Sequence, residues 1–177
     1  MLLNNMRKFC FCIISFFFIN SIFAQEKLDI YDIARKGTID QVESIFKENP
    51  EIINTNNEHG FSPLILACYN GNEAVATFLI EKANIDYVSN EGTALMAAVV
   101  KENTRLVNLL LEKKVNPNLT NKQGTTALIY AVQFKNLEII RLLLKFKASK
   151  TQIDKQGKTA FEYAVFSNNE DVINLLK

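Results

Sequence analysis

The chain has 177 residues, 48% hydrophobic and 22% charged, with a net charge near +1. That balance supports a packed core and excludes a disordered chain, a basic nucleic-acid binder and an acidic-tail protein. Six Gly, three Pro and no Trp speak against a turn-rich β-sandwich. In chain order, the first element is MLLNNMRKFCFCIISFFFINSIFAQ. It has basic Arg7 and Lys8, an apolar run from Phe9 to Ile19 broken only by Ser15, and a small residue, Ala24, before Gln25. Those are the three regions of a secretory signal peptide. The apolar run falls short of the ~20 residues that span hydrocarbon. Cleavage after Ala24 is therefore expected, with residues 1–24 removed and one domain over 25–177 exported to the periplasm or beyond the cell.

Cleavage takes two of the 20 basic residues and none of the 19 acidic ones, leaving a net charge near −1. Of three cysteines only Cys68 remains, so no internal disulfide can form even in an oxidising compartment. The fold must rest on its apolar core.

Beyond residue 25 the chain is periodic. Ser62-Pro63-Leu64, Thr93-Ala94-Leu95, Thr126-Ala127-Leu128 and Thr159-Ala160-Phe161 begin at spacings of 31, 33 and 33 residues. Each is followed by a small-residue helix centred on Ala67, Ala98, Ala131 or Ala164, and then by Asn72, Asn103, Asn136 or Asn169. A second amphipathic run closes each unit: EAVATFLI, TRLVNLLL, LEIIRLLL and EDVINLLK. Alanine lets two helices approach closely. Asparagine is a strong N-cap and predicts the start of the second helix. One such unit cannot bury its own apolar face, and stacking on a neighbour does so.

The pattern resembles the ankyrin repeat, with its G-x-T-P-L-H-x-A-A opening and V-V-x-L-L-L second helix. Gly60 to Leu64, Gly124 to Leu128 and Gly157 to Phe161 carry the opening, and Lys113–Gln123 stands where that family has its long hairpin loop. The resemblance implies an all-α solenoid of stacked helix–turn–helix units joined by short β-hairpin-like loops. The units are about 26–59 as N-terminal cap, 60–91, 92–123, 124–156, and 157–177 as C-terminal cap. The first unit, Ile33 to Gly37 followed by IDQVESIF, is atypical, as an end repeat should be.

Departures from the family pattern are local. Its His after Pro-Leu is here Ile65, Met96, Ile129 and Glu162. Its Gly between the paired helices is kept at Gly37 and Gly71 and becomes Glu102, Lys135 and Asn168. If that turn needs positive φ, each of these three is strained, Asn least. The loop from Lys82 to Gly92 is two residues short and predicts a tighter hairpin.

The residues carry little chemistry. His59 is the only histidine, on an expected hairpin tip with no orienting partner for base catalysis. Cys68 reads as a small core residue; a redox-sensing thiol would need exposure and a lowered pKa. No Cys/His cluster has metal spacing, no phosphate-binding glycine loop exists, and no cofactor is expected.

The resemblance instead implies a concave binding surface, built from hairpin tips and the ends of the first helices. Phe61, Tyr69, Val100, Phe134 and Phe166 form a candidate apolar stripe for a protein partner, with Lys101 and Gln133 beside it. Lys122, Lys155 and Lys158 on the later tips favour an acidic patch on that partner. The expected function is a non-enzymatic, monomeric, exported protein-binding module with no nucleic-acid partner. Alternatives are an immunity or inhibitor protein covering a secreted toxin or enzyme, an accessory to an exported stress-defence enzyme, and a redox or hydrolytic protein using Cys68 or His59.

Overall fold

The computed structural model describes residues 29–177; the expected signal sequence lies outside them. Among the described residues the chain is all-helical. Ten α-helices run in pairs: α1 (Ile30–Lys36) and α2 (Ile39–Glu48), α3 (Pro63–Asn70) and α4 (Glu73–Lys82), α5 (Ala94–Val100) and α6 (Thr104–Glu112), α7 (Ala127–Gln133) and α8 (Leu137–Lys145), and α9 (Ala160–Phe166) and α10 (Glu170–Leu176). A short 3-10 turn, Pro50–Asn54, follows the first pair.

The repeated Ser/Thr sets where each first helix begins. Ser62, Thr93, Thr126 and Thr159 cap α3, α5, α7 and α9, each side-chain oxygen accepting from the amide three residues on. The repeated asparagines do the same for the second helices, with Asn72, Asn103, Asn136 and Asn169 accepting from Val75, Leu106, Ile139 and Val172. Each such cap stabilises its helix by about 1 kcal/mol. Three of these asparagines also reach back to the preceding unit. The Asn72 amide donates to the carbonyls of Ile33 and Gly37, Asn103 to Glu73 Oε1, and Asn136 to Glu102 Oε2. One side chain thereby both starts a helix and registers its unit against the one before.

First helices pack on first helices and second on second, in two parallel rows. The column of Ala67, Ala98, Ala131 and Ala164 is fully buried, which is what lets the rows close up. The larger apolar residues of the second helices, among them Leu79, Leu110, Ile140 and Leu143, fill the space between rows. Burying each such side chain stabilises by about 1.5–3 kcal/mol.

The turns between paired helices settle the question of φ. Gly71, Glu102, Lys135 and Asn168 lie at φ 69, 52, 58 and 50, so the family turn is left-handed here whichever residue occupies it. Gly37 is the exception. Its φ is −80 and its ψ −178, an extended conformation open to any residue. What excludes a side chain at Gly37 is space, because a Cβ there would sit 2.7 Å from Ile33 Cα and 2.8 Å from its carbonyl oxygen.

The short loop after α4 resolves into two separate single-residue losses. Helices α6 and α8 end through a left-handed lysine, Lys114 and Lys147, whereas α4 runs straight into extended Ala83. At the other end Gly92 adjoins the cap Thr93 directly, where Phe61, Thr125 and Lys158 intervene in the other units. The tip is accordingly the tightest, with an isolated antiparallel bridge between Ser89 and Gly92. That is the single β-bridge among the described residues; the other tips are turns rather than paired strands.

Candidate partner-binding groove

Four tips project from the same edge of the stack. In three of them one acidic or amide side chain holds the turn. Asn57 Oδ1 accepts from the His59 and Phe61 amides, Asn121 Oδ1 from Gln123 and Thr125, and Asp154 Oδ1 from Gln156 and Lys158. Ser89 Oγ substitutes in the shortened tip, 3.2 Å from the Gly92 amide.

Between the tips and the inner helix row lies a groove of about 610 Å³. Its floor and walls are mainly apolar, with Ile65, Leu66, Met96 and Ala97 below and Tyr69 and Phe134 at the mouth, 50% and 44% exposed. One column of the repeat changes size within the groove. Leu66, Ala97, Tyr130 and Tyr163 each stand four residues after their helix cap, and Ala97 is the small member.

Tyr130 brings polarity into this apolar setting. Its hydroxyl accepts from Asn121 Nδ2 at 3.0 Å. Burial, followed by the nearby Glu91 carboxylate, raises the phenol pKa above its ordinary value, so the hydroxyl stays a neutral donor. The equivalent pair in the next tip runs the other way: Tyr163 donates to Asp154 Oδ2 at 2.5 Å, which pushes the Tyr163 pKa up to about 12. Burial alone would raise the Asp154 pKa, but the bonds from Tyr163 and two backbone amides, with Lys158 nearby, hold it below the usual carboxylate range.

The residues considered for catalysis are placed apart. Cys68 is fully buried, and desolvation pushes its thiol up to about 12, so no thiolate forms at neutral pH. A redox-sensing thiol would need the opposite, exposure and a lowered pKa. His59 sits on its tip with Glu58 3.4 Å away and both side chains largely exposed, which leaves no ordered nucleophile–base pair. No cluster of His, Cys, Asp or Glu among the described residues could hold a metal ion, and no described helix is long and apolar enough to cross a membrane.

A family model for ankyrin repeats (3 copies) matches residues 30–121 and 95–177. The chain belongs to the ankyrin repeat family. It is 35% identical over 102 residues to an ankyrin repeat protein of Fowlpox virus (strain NVSL), covering 56% of this chain and 23% of the viral one. It is 32% identical over 101 residues to ankyrin repeat and SAM domain-containing protein 6 of Rattus norvegicus, covering 55% of this chain and 11% of that protein. The mouse counterpart, from Mus musculus, is 33% identical over the same length. The chain thus spans less than a quarter of the length of the curated relatives it matches. Ankyrin repeats are protein–protein interaction modules, and the groove is where this ankyrin array offers an apolar surface.

The structure brings four of the expected contact residues to that ankyrin groove: Phe61, Tyr69, Val100 and Phe134. Lys101 flanks it, its ammonium 5.1 Å from the centre of the Tyr69 ring. Gln133 lies outside the lining, as do Lys122, Lys155 and Lys158 on the later tips. Phe166 is separate too, 84% exposed, with the Lys158 ammonium 5.1 Å from its ring. Sequence reasoning missed Met96, Ala97 and Tyr130. For Ala97 and Tyr130 the signal was the size change along one column of the repeat, which alignment on the caps makes visible.

Proposed function

We propose that this protein is an exported ankyrin module that grips one partner protein through the groove between Tyr69, Val100 and Phe134. The observation that carries the reading is a mainly apolar concavity with two aromatic rings exposed at its mouth. Large rings at the rim of a desolvated pocket are the usual energetic centre of a protein interface. The Tyr130 hydroxyl supplies a neutral donor to orient what enters.

Export rests on the N-terminal segment from Met1 to Ala24. Its test is the N-terminal sequence and compartment of the protein recovered from its own cells; an intact Met1 in the cytoplasm would end that part of the reading.

The binding reading is tested by affinity capture of the tagged protein, run beside a Phe134→Glu variant whose helicity is checked by circular dichroism. Enrichment of one protein by the wild type and its loss with the variant supports the groove as the site. The partner's identity then separates a scaffold from an inhibitor of a toxin or enzyme and from an accessory to a stress-defence enzyme. Equal capture by both forms would place binding elsewhere on the molecule.

A further inference from the structure

The charge on the tips changes sign along the array. The first two tips carry Glu58 and Glu91, the third Lys122, and the fourth Lys155. The tips are joined in register, because the Lys122 amide donates to the Asn90 carbonyl and the Lys155 amide to the Gln123 carbonyl, both at 2.9 Å. Lys122 and Lys155 therefore occupy the same place on adjoining tips, with Lys122 against the tip whose Glu91 lines the groove.

Their charges are uncommitted. The ion pairs among the described residues join Arg35 to Asp32, His59 to Glu58, Arg105 to Glu73 and Lys113 to Glu81. None involves Lys122 or Lys155, and both are exposed. Lys101 and Lys158 differ: the Lys101 ammonium lies over the Tyr69 ring, and that of Lys158 over the Tyr163 and Phe166 rings and near the Asp154 and Glu162 carboxylates.

We infer that the partner enters as an extended protein segment in which bulky apolar side chains are flanked on one side by acidic residues. The apolar side chains fill the groove between Tyr69, Val100 and Phe134, and the carboxylates lie over Lys122 and Lys155. This rests on the groove reading above and adds a direction to it. The opposite orientation would set the acidic residues against Glu58 and Glu91, where Arg35, which also lines the groove, is already paired with Asp32, and like charges brought together disfavour it. A nucleic acid fits less well. Its phosphates continue along its whole length and would meet Glu91, which itself lines the groove.

The test uses two fluorescein-labelled peptides with the same Leu-Phe-Leu core, one followed by four aspartates and the other by four lysines. Anisotropy titrations compare the wild-type protein, the Lys122→Glu/Lys155→Glu variant and Phe134→Glu. The wild type is expected to bind the aspartate peptide about tenfold more tightly than the lysine peptide, with the difference shrinking as salt is raised. The double charge reversal should invert that preference, a gain that a merely unfolded variant cannot produce. Phe134→Glu should weaken both peptides.

Equal binding of both peptides by the wild type, still lost in Phe134→Glu, overturns the charge inference and leaves the groove reading standing. No binding of either peptide at millimolar concentration overturns both. Displacement of the aspartate peptide by an oligothymidine, undiminished in Phe134→Glu, overturns the inference in favour of a general polyanion surface. A concentration-dependent dimer in sedimentation, dissolved by the double charge reversal, overturns it in favour of a second copy of the chain.

Discussion

Replacing Lys135 with glycine should stabilise the protein. Lys135 follows α7 at φ 58, in the left-handed region, and is exposed. A non-glycine residue there costs about 1–2 kcal/mol. Glycine removes that strain but adds about 0.4–1 kcal/mol of unfolded-state entropy to be lost on folding. The Lys135 side chain makes no ion pair or hydrogen bond that would be forfeited, so Lys135→Gly should gain about 0.5–1 kcal/mol, roughly 2 °C in Tm for a domain of this size. Two controls bracket the argument. Glu102→Gly relieves the same strain at φ 52 but removes the carboxylate that accepts from Asn136 at 3.0 Å, worth about 0.5–1.5 kcal/mol, so it should be close to neutral. Gly71→Ala introduces the strain at φ 69, and because its Cβ would meet nothing within 4 Å, the loss of about 1 kcal/mol is conformational alone. Equilibrium urea unfolding followed by circular dichroism, with unchanged m-values, ranks the three. A Lys135→Gly protein less stable than wild type would refute the reasoning.

Two further outcomes follow from the site chemistry. Asp154 has a folded pKa below its ordinary value near 3.8, so its contribution to stability is present above that value and is lost as pH falls through the folded pKa. Asp154→Asn should flatten this acid limb in urea midpoints measured from pH 6 down to about 2, while the tip survives because Asn121 already holds the preceding one. A variant with the same acid limb as wild type would assign the effect to other carboxylates. Cys68 should resist an aromatic disulfide reagent in the native protein at pH 8 and react at once in denaturant, since it is fully buried with its pKa near 12. Rapid labelling of folded protein would reinstate a reactive thiol.

The sequence by itself determined the period, the helix pairs and their caps. Those features are local: a Ser or Thr at a helix start, an Asn three residues before the amide it accepts, and apolar residues at helical spacing act over a few residues, so they stand in the chain unaltered. The strain at Glu102, Lys135 and Asn168 was legible in the same way, because the turn repeats with the unit. Tertiary structure decided what depends on neighbours in space. Gly37 reads like Gly71 in sequence yet adopts an extended backbone, held by the Asn72 amide from the next unit and by the closeness of Ile33. The groove was half visible as exposed aromatics, but its lining joins Ala97 to Leu66 and Tyr130 of adjoining units, residues 31 and 33 positions away in the chain. Phe134 stands eight residues after its helix cap and Phe166 seven, and the structure sets the first at the groove mouth and leaves the second standing apart, 84% exposed. A repeat specifies its own slice, while the surface a partner meets is made where slices adjoin.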